Sequence, residues 1–478
     1  MPMSPSTLVS PPLFTAADIR EIDRHWADTH RGSPLMESAG AAAAELAGTL
    51  ASESGEPILV LAGPGNNGGD ALVAARRLTA QGFRVVVVSR ADPARLPLDA
   101  ARAWAAWREI GGLLQTDIPP SQRFSLVIDG LFGVGLARDV TDAEARWIAQ
   151  ANDMACPKLA LDVPSGLDSD TGQIRGCAVR ADHTLTFLGL KPGLLTADGP
   201  DCAGELHLDT LGIDPETLPT VAGSALTQLE NRHRLPARAR NSHKGLYGHV
   251  GIIGGDAGMV GASLIAGRAA LQHGAGSVTL GVLDERVVVD YVEPRLMFAR
   301  PGKLLGMKLD GLAIGPGLGQ RPPARALLEE ALAMACPLVL DADALNLLAG
   351  DAELVRQAAR RAHPTLLTPH PGEAARLLGL SGAGIQADRI RAARTLSAKF
   401  HAEVALKGAG TVVARPDGRY AINLTGGPWL AQAGSGDRLT GMVTALLAQG
   451  MTAGDALEAA VWLHGRQVPR PVTPSTAI

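Results

Sequence analysis

Short β-branched, apolar runs alternate with Ala- and Leu-rich segments along the whole chain, and this rhythm restricts the fold more than any other feature. Pro57–Ala62, Arg84–Ser89, Ser125–Asp129, Lys158–Asp162 and His183–Phe187 read as strands, with helix-like stretches such as Asp70–Gln81 between them. Strands that are apolar along their length need cover on both faces, and an intervening helix returns the chain to start a parallel neighbour. The rhythm resumes at His249–Gly254, Ser277–Leu283, Leu312–Gly315, Pro337–Asp341, Thr365–Pro369 and Glu403–Lys407. Thr411–Asn423 reads as a hairpin about Pro416-Asp417-Gly418, and a helix is expected over Asp437–Gln449. Between the two stretches, Asp214–Lys244 has prolines, polar residues and a local basic excess without a sustained period. It reads as a linker and the entry to a second unit. The basic excess fits solvated surface, with a phosphate-facing rim as the alternative.

The chain has 478 residues, enough for roughly two or three domains. Aromatic residues are only 3%, so the cores must rest on Ala, Val, Leu and Ile. A net charge of −4 argues against a general nucleic-acid or polybasic membrane binder. Cys156, Cys177, Cys202 and Cys336 form no CxxC pair and read as reduced thiols, which points to a cytoplasmic setting. No run approaches about 18 uninterrupted apolar residues, and the first residues lack the basic-then-apolar order of a signal peptide.

The 56 glycines cluster where strands should hand over to loops. Ala62-Gly63-Pro64-Gly65-Asn66-Asn67-Gly68-Gly69-Asp70 joins a strand to a helix, where close backbone approach and free N–H groups suit an anion. A tight turn with Asp70 as helix cap would also account for the glycines, but not for two adjacent Asn. Asp129-Gly130-Leu131-Phe132-Gly133-Val134-Gly135-Leu136 and Asp162-Val163-Pro164-Ser165-Gly166-Leu167-Asp168 each place an Asp at a strand end, where ligands enter doubly wound sheets. Asp70, Asp129 and Asp162 are expected to converge, for a hard cation or for acid–base chemistry. In the second half, Gly315-Pro316-Gly317-Leu318-Gly319, Asp341–Asn346, Thr368–Glu373, Lys407–Thr411 and Ala433-Gly434-Ser435-Gly436-Asp437 repeat the theme. A Gly-Ser-Gly turn running into a helix aims N–H groups at a phosphoryl group in transfer, and Asp437 could take a proton from a hydroxyl.

The motifs AGPGNNGGD, DGLFGVG and LDVPSGLDSDTG, in this order, resemble the YjeF N-terminal domain of the NAD(P)H-hydrate epimerases, over roughly residues 14–215. GPGLG, LDADALN, TPHPGE and AGSGD together resemble the ribokinase-like NAD(P)H-hydrate dehydratases, over roughly residues 225–465. The resemblance implies an N-terminal Rossmann-like three-layer sandwich over 1–222 and a ribokinase-like α/β domain over 223–478. It implies Asp162 and Asp437 as catalytic groups and Asn67, Asp129 and Ser165 as a potassium site. Substrate contacts would come from Asn66, Asn67, Gly68, Gly69, Asp70, Gly133, Val134, Gly135, Leu136, Ala137, Arg138 and Asp139, and in the second half from Ala262, Gly319 and His370. Lys407, Gly408, Ala409, Gly410, Thr411, Gly434, Ser435 and Gly436 would serve the adenine nucleotide. The implied ligands are hydrated NADH or NADPH, ADP or ATP, K+ and Mg2+, without nucleic acid or membrane, in a homo-oligomer. A small-molecule kinase of the ribokinase group is the alternative. Ala71 (after NNGGD), Gly427 (where Asn is expected), Arg438 and a short Pro-rich C-terminal tail depart from the family pattern.

Overall fold

The computed structural model describes residues 10–29, 35–52, 55–235 and 237–467. Its contacts divide the chain into two compact units, the first ending at Thr227 and the second beginning at Gln228. The C-terminal tail named above lies outside the described residues.

Among the described residues, the first unit has strands β1 (Pro12–Leu13), β2 (Ile58–Ala62), β3 (Val85–Val88), β4 (Leu114–Gln115), β5 (Leu126–Gly130), β6 (Lys158–Leu161), β7 (His183–Phe187), β8 (Glu205–Asp209) and β9 (Gly223–Leu226). Seven of them form a sheet in the order β4-β3-β2-β5-β6-β7-β8, parallel throughout. β1 and β9 pair antiparallel, Pro12 opposite Ser224, so the first unit runs past its expected end at 222. Side chains alternate across β2. Ile58, Val60 and Ala62 join the core beneath helices Leu35–Leu50, Asn66–Ala80 and Leu98–Glu109. Leu59 and Leu61 join the opposite core around Trp147 of helix Asp142–Asp153. The result is a three-layer sandwich. From β2 the chain builds outward through β3 and β4, then crosses to β5 and builds the other way. Such a reversal opens a crevice at the C-terminal ends of the two central strands.

The second unit has β10 (His249–Gly254), β11 (Ser277–Val282), β12 (Met297–Ala299), β13 (Gly311–Ile314), β14 (Leu338–Leu340), β15 (Thr365–Leu367), β16 (Glu403–Leu406), β17 (Val412–Ala414) and β18 (Tyr420–Asn423) among its described residues. They run in the order β18-β17-β16-β15-β14-β13-β10-β11-β12. Only the β17–β18 hairpin and its join to β16 are antiparallel. Helices Val260–Gln272 and Ser435–Ala448 bury Ala266, Ala269, Val443 and Leu446 against Val250 and Ile252 of β10. Here the direction of building reverses between β10 and β13, and a second crevice faces their C-terminal ends. No helix among the described residues is long and apolar enough to cross a membrane.

Candidate active sites

In the first unit, the helix begins at Asn66, earlier than the expected Asp70, because Gly65 is extended (φ −113°) and takes the N-cap position. The Asn-Asn-Gly-Gly run is therefore the first helical turn, and Asp70 is not the cap. Asn67 is buried, and its Nδ2 donates to the carbonyls of Phe132 (3.0 Å) and Leu161 (3.1 Å), tying the turns after β5 and β6 together. Its Oδ1 is buried without a hydrogen-bond partner. Asp129, fully buried, accepts from the Ser165 hydroxyl (2.6 Å), the Ser165 N–H (2.8 Å) and the Leu131 N–H (3.2 Å). Burial pushes its carboxyl up to about 6, against the pull of those donors. Among the described residues no ion pair reaches it.

Asp162 follows β6 in the left-handed region (φ +63°), a strained position for a side-chain-bearing residue. Its Oδ1 lies 2.6 Å from the Lys191 ammonium, and its Oδ2 accepts from the Val134 N–H at 3.2 Å. Lys191 is fully buried and also donates to Thr186 Oγ1 (2.9 Å) and the Phe187 carbonyl (2.6 Å), so all three ammonium protons have acceptors. Gly133 has no room for a side chain, since a Cβ there would stand 2.7 Å from Asp162 Oδ2. Burial, followed by the charges of Asp162 and Asp23, pushes the Asp70 carboxyl well above the carboxylate range. Asp23, on helix Ala16–Thr29, is raised to about 6 by desolvation and by Asp162, with Lys191 opposing.

Of the three aspartates expected to converge, Asp70 and Asp162 share one field, which Asp23 also enters. Asp129, at the end of the neighbouring strand β5, is hydrogen-bonded into the Ser165 loop. Gly68 and Gly69 are buried and Asn66 is exposed in that first turn. Beyond Val134 the loop faces outward: Leu136 is half-buried, while Gly135, Ala137, Arg138 and Asp139 are exposed. Asp23 carries no motif in the sequence. Lys191 lies in the stretch TFLGLKPG that ends β7, and nothing local marks its partner.

In the second unit, Asp341 follows β14 and is almost completely buried. It pairs with Lys407 Nζ at 2.9 Å and accepts from Thr440 Oγ1 at 2.7 Å. Burial would raise it, but the Lys407 charge and these hydrogen bonds hold it below the usual carboxylate range. Asp437 lies in the first turn of helix Ser435–Ala448, after Gly434 at φ +83°. Burial and the Asp341 charge push it up to about 6, with Lys407 opposing. Among the described residues no hydrogen bond reaches the Asp437 carboxylate, and the N–H groups of Gly436 and Asp437 have no backbone acceptor, whereas Ser435 N–H donates to the Gln432 carbonyl at 3.3 Å. Open N–H groups at a helix start favour an anion. Ser435 Oγ stands 3.2 Å from His464 Nε2.

His370 caps the helix Pro371–Leu378. Its Nδ1 accepts from the N–H groups of Gly372 (3.0 Å) and Glu373 (3.4 Å). The neutral ring must then carry its proton on Nε2, 3.2 Å from Glu373 Oε1. Burial first, then Lys407 and Arg376, lowers His370, while burial pushes Glu373 up to about 7. Gly319, at φ +74°, donates its N–H to Asp343 Oδ2 at 2.9 Å. Ala262 is half-buried in the first turn of helix Val260–Gln272. Gly408 and Ala409 are exposed, and Thr411 Oγ1 donates to the Gly408 carbonyl at 3.2 Å. Buried Arg389 braces this turn through the carbonyls of Leu406 (3.2 Å) and Lys407 (3.3 Å). Asp341, Glu373 and Arg389 escaped the sequence reading as site residues. The first two stood inside quoted motifs; Arg389 had no signal. Gly427 is extended, and a Cβ on it would meet the Trp429 ring at 2.3 Å, so the aromatic ring lies where the expected Asn would begin. Arg438 reaches Gln272 Oε1 at 3.3 Å.

Comparison with known proteins follows the same division. The family model described as NAD(P)H-hydrate dehydratase matches residues 250–469, and that of the YjeF-related protein N-terminus matches residues 32–193. The chain is 38% identical over 472 residues to the bifunctional NAD(P)H-hydrate repair enzyme of Escherichia coli, covering 95% of this chain and 88% of that protein. It is 37% identical over 469 residues to the Coxiella burnetii enzyme of the same description, covering 96% and 94%. A solved ADP/ATP-dependent NAD(P)H-hydrate dehydratase from Bacillus subtilis, co-crystallised with ATP/Mg2+, is 34% identical over 49% of this chain and 84% of its own, with a TM-score of 0.44. With relatives matched along nearly their whole length and both family models present in order, the chain belongs to the family of bifunctional NAD(P)H-hydrate repair enzymes.

Proposed function

We propose that the two units carry two successive repair reactions on NADH or NADPH that has gained water across a nicotinamide ring double bond. The first unit interconverts the epimers at the hydroxyl-bearing carbon. The second dehydrates the S epimer at the expense of ADP or ATP. The observation that carries this reading is the Asp437 carboxylate. It is raised to about 6, free of hydrogen bonds among the described residues, and set at a helix start whose N–H groups stand open.

In the second unit, Asp437 takes the proton of the substrate hydroxyl as its oxygen attacks the terminal phosphorus of the nucleotide. The nucleotide leaves one phosphate shorter. The Gly434–Gly436 turn stabilises the charge on the transferring group. Phosphate then departs with the carbon–oxygen bonding pair, and loss of a ring proton restores the double bond. Ala262, Gly319 and His370 hold the nicotinamide end, and Lys407–Thr411 the adenine nucleotide. Magnesium would neutralise the nucleotide phosphates, with Asp437 and Glu373 as nearby carboxylates.

In the first unit, Asp162 moves the proton that allows the hydroxyl to leave and return on the opposite ring face. The Asn66–Asp70 turn and the Gly133–Asp139 loop line the substrate. Potassium fits the residues at hand: Asn67 Oδ1 is a buried acceptor without a donor, and Asp129 is a buried carboxylate without a basic partner. Asn67, Asp129 and Ser165 would hold it, and it would supply the positive charge that the protein leaves out. A cytoplasmic homo-oligomer belongs to the same reading.

The test supplies a mixture of both hydrate epimers with ADP, and separately with ATP, and follows the reduced-nicotinamide absorbance. Full recovery is expected with at least one nucleotide. Recovery of only the S fraction removes the epimerase. Accumulation of a stable phosphorylated product points to a small-molecule kinase, and no recovery overturns the reading.

A further inference from the structure

β7 and β8 are the last two strands of the first unit's sheet, and β8 is its edge. Their register sets His183 opposite Glu205 and Leu185 opposite His207. Paired residues of parallel neighbours share a face, as do residues two apart on a strand. His183, Glu205 and His207 therefore stand together on one face. His183 opens β7, at the end of the sheet opposite the strand C-termini that carry Asp129 and Asp162, so this cluster is separate from the site described above.

The donor atoms are close enough to share one ion. His183 Nδ1 lies 3.2 Å from His207 Nε2 and 3.7 Å from Glu205 Oε2. One ligand atom from each of the three falls within 4.8 Å of the others. Two imidazole nitrogens on a tetrahedral metal, each at about 2.0–2.1 Å, stand about 3.3 Å apart. A His–His hydrogen bond would give a similar separation, but it does not require a carboxylate on the same face. Glu205 is largely exposed and leaves an open approach.

A second cluster shows what a filled site looks like without a metal. His233, Asp455 and Glu458 are equally close together. There, however, Arg232 and Arg415 pair with both carboxylates, and His233 Nδ1 already accepts from the Glu230 N–H at 2.9 Å. The protein's own cations neutralise that group. Among the described residues no Lys or Arg pairs with Glu205.

We propose that His183 Nδ1, His207 Nε2 and a Glu205 oxygen form a binding site for a late first-row divalent ion such as Zn2+ or Ni2+, with water completing the shell. Bound there, the ion clamps the exposed edge strand β8 to β7. The test uses the full-length protein, stripped by a chelator and titrated with Zn2+ against a chromophoric competitor. One Zn2+ per chain is expected, weakened at least tenfold by His207→Gln and by Glu205→Ala. Co2+ should give a visible absorption band that His207→Gln abolishes. Glu205 is exposed, so Glu205→Ala decides the question alone if His207→Gln fails to fold. A wild type that takes up no stoichiometric Zn2+, or an affinity unchanged in the folded variants, overturns the site and leaves a hydrogen-bonded histidine pair.

Discussion

Each unit carries an aspartate–lysine pair at the ligand edge of its sheet, and the two are wired differently. In the first, Asp162 pairs with buried Lys191 at 2.6 Å, and this same aspartate is the proposed proton carrier. In the second, Lys407 pairs at 2.9 Å with Asp341, and the proposed base Asp437 is a different residue, raised to about 6 by burial and by the Asp341 charge. One lysine thus anchors the working carboxylate, whereas the other anchors a supporting one. A tethered carboxylate holds a proton route in position. An untethered one near neutrality can accept a proton from a hydroxyl.

The largest expected effects are on rate. Asp437→Asn should cut dehydration, and Asp162→Asn epimerisation, by about 10²–10⁴-fold. The two variants should differ in stability. Asp162→Asn leaves the buried Lys191 ammonium without its counter-charge, and urea melts at pH 8 should show a loss of about 3–5 kcal/mol. Asp437→Asn removes a carboxylate that burial disfavours, so it should not destabilise. Equal melts for the two variants would break the comparison.

The next effect is on pH dependence. Asp437 must be ionised to act, so dehydration kcat/KM should climb tenfold per pH unit up to about 6 and then level off. Lowering by Lys407 opposes the shift, so Lys407→Met should move the acid limb upward. A flat profile between pH 5 and 7 would remove Asp437 as the base.

Asp129 sharpens the contrast from the stability side. Its folded value of about 6 lies above the ordinary 3.8, so the folded state holds the proton more tightly. That contribution is present below about pH 4 and lost as pH rises through about 6. A potassium ion would offset the loss. KCl, compared with choline chloride, should therefore raise the Tm more at pH 8 than at pH 5, and an equal rise at both would count against the site. The smallest effect belongs to Gly427→Asn. Displacing the Trp429 ring should cost about 1–3 kcal/mol locally, shift tryptophan fluorescence and change the nucleotide KM only a few-fold.

The main strands were legible because β2, β5, β6 and β10 are apolar along their length. β4 and β12 are too short to show a period, and β8 (Glu205–Asp209, ELHLD) mixes charge into its alternation as an edge strand can. β9 lay inside what reads as a linker, and its pairing with β1, distant in sequence, shows it to be a strand. The helix start at Asn66 was hidden because Asn and Gly are poor helix formers, and tertiary context overrides that weak preference. In the sites, the motifs marked Asp162, Asp437 and the turns. They did not mark Lys191, Asp23 or Arg389, whose roles depend on what lies beside them.

By itself, the sequence determined the alternating α/β class, the strand ends at which glycine loops and aspartates gather, and the chemistry those residue types can perform. Only the tertiary structure decided which aspartate faces a lysine, which is buried without a cation, and which is left open. Those outcomes depend on strand register, which brings Lys407 to Asp341 across 66 residues of chain, and on burial, which sets the cost of each charge. Neither quantity is carried by any local stretch of sequence.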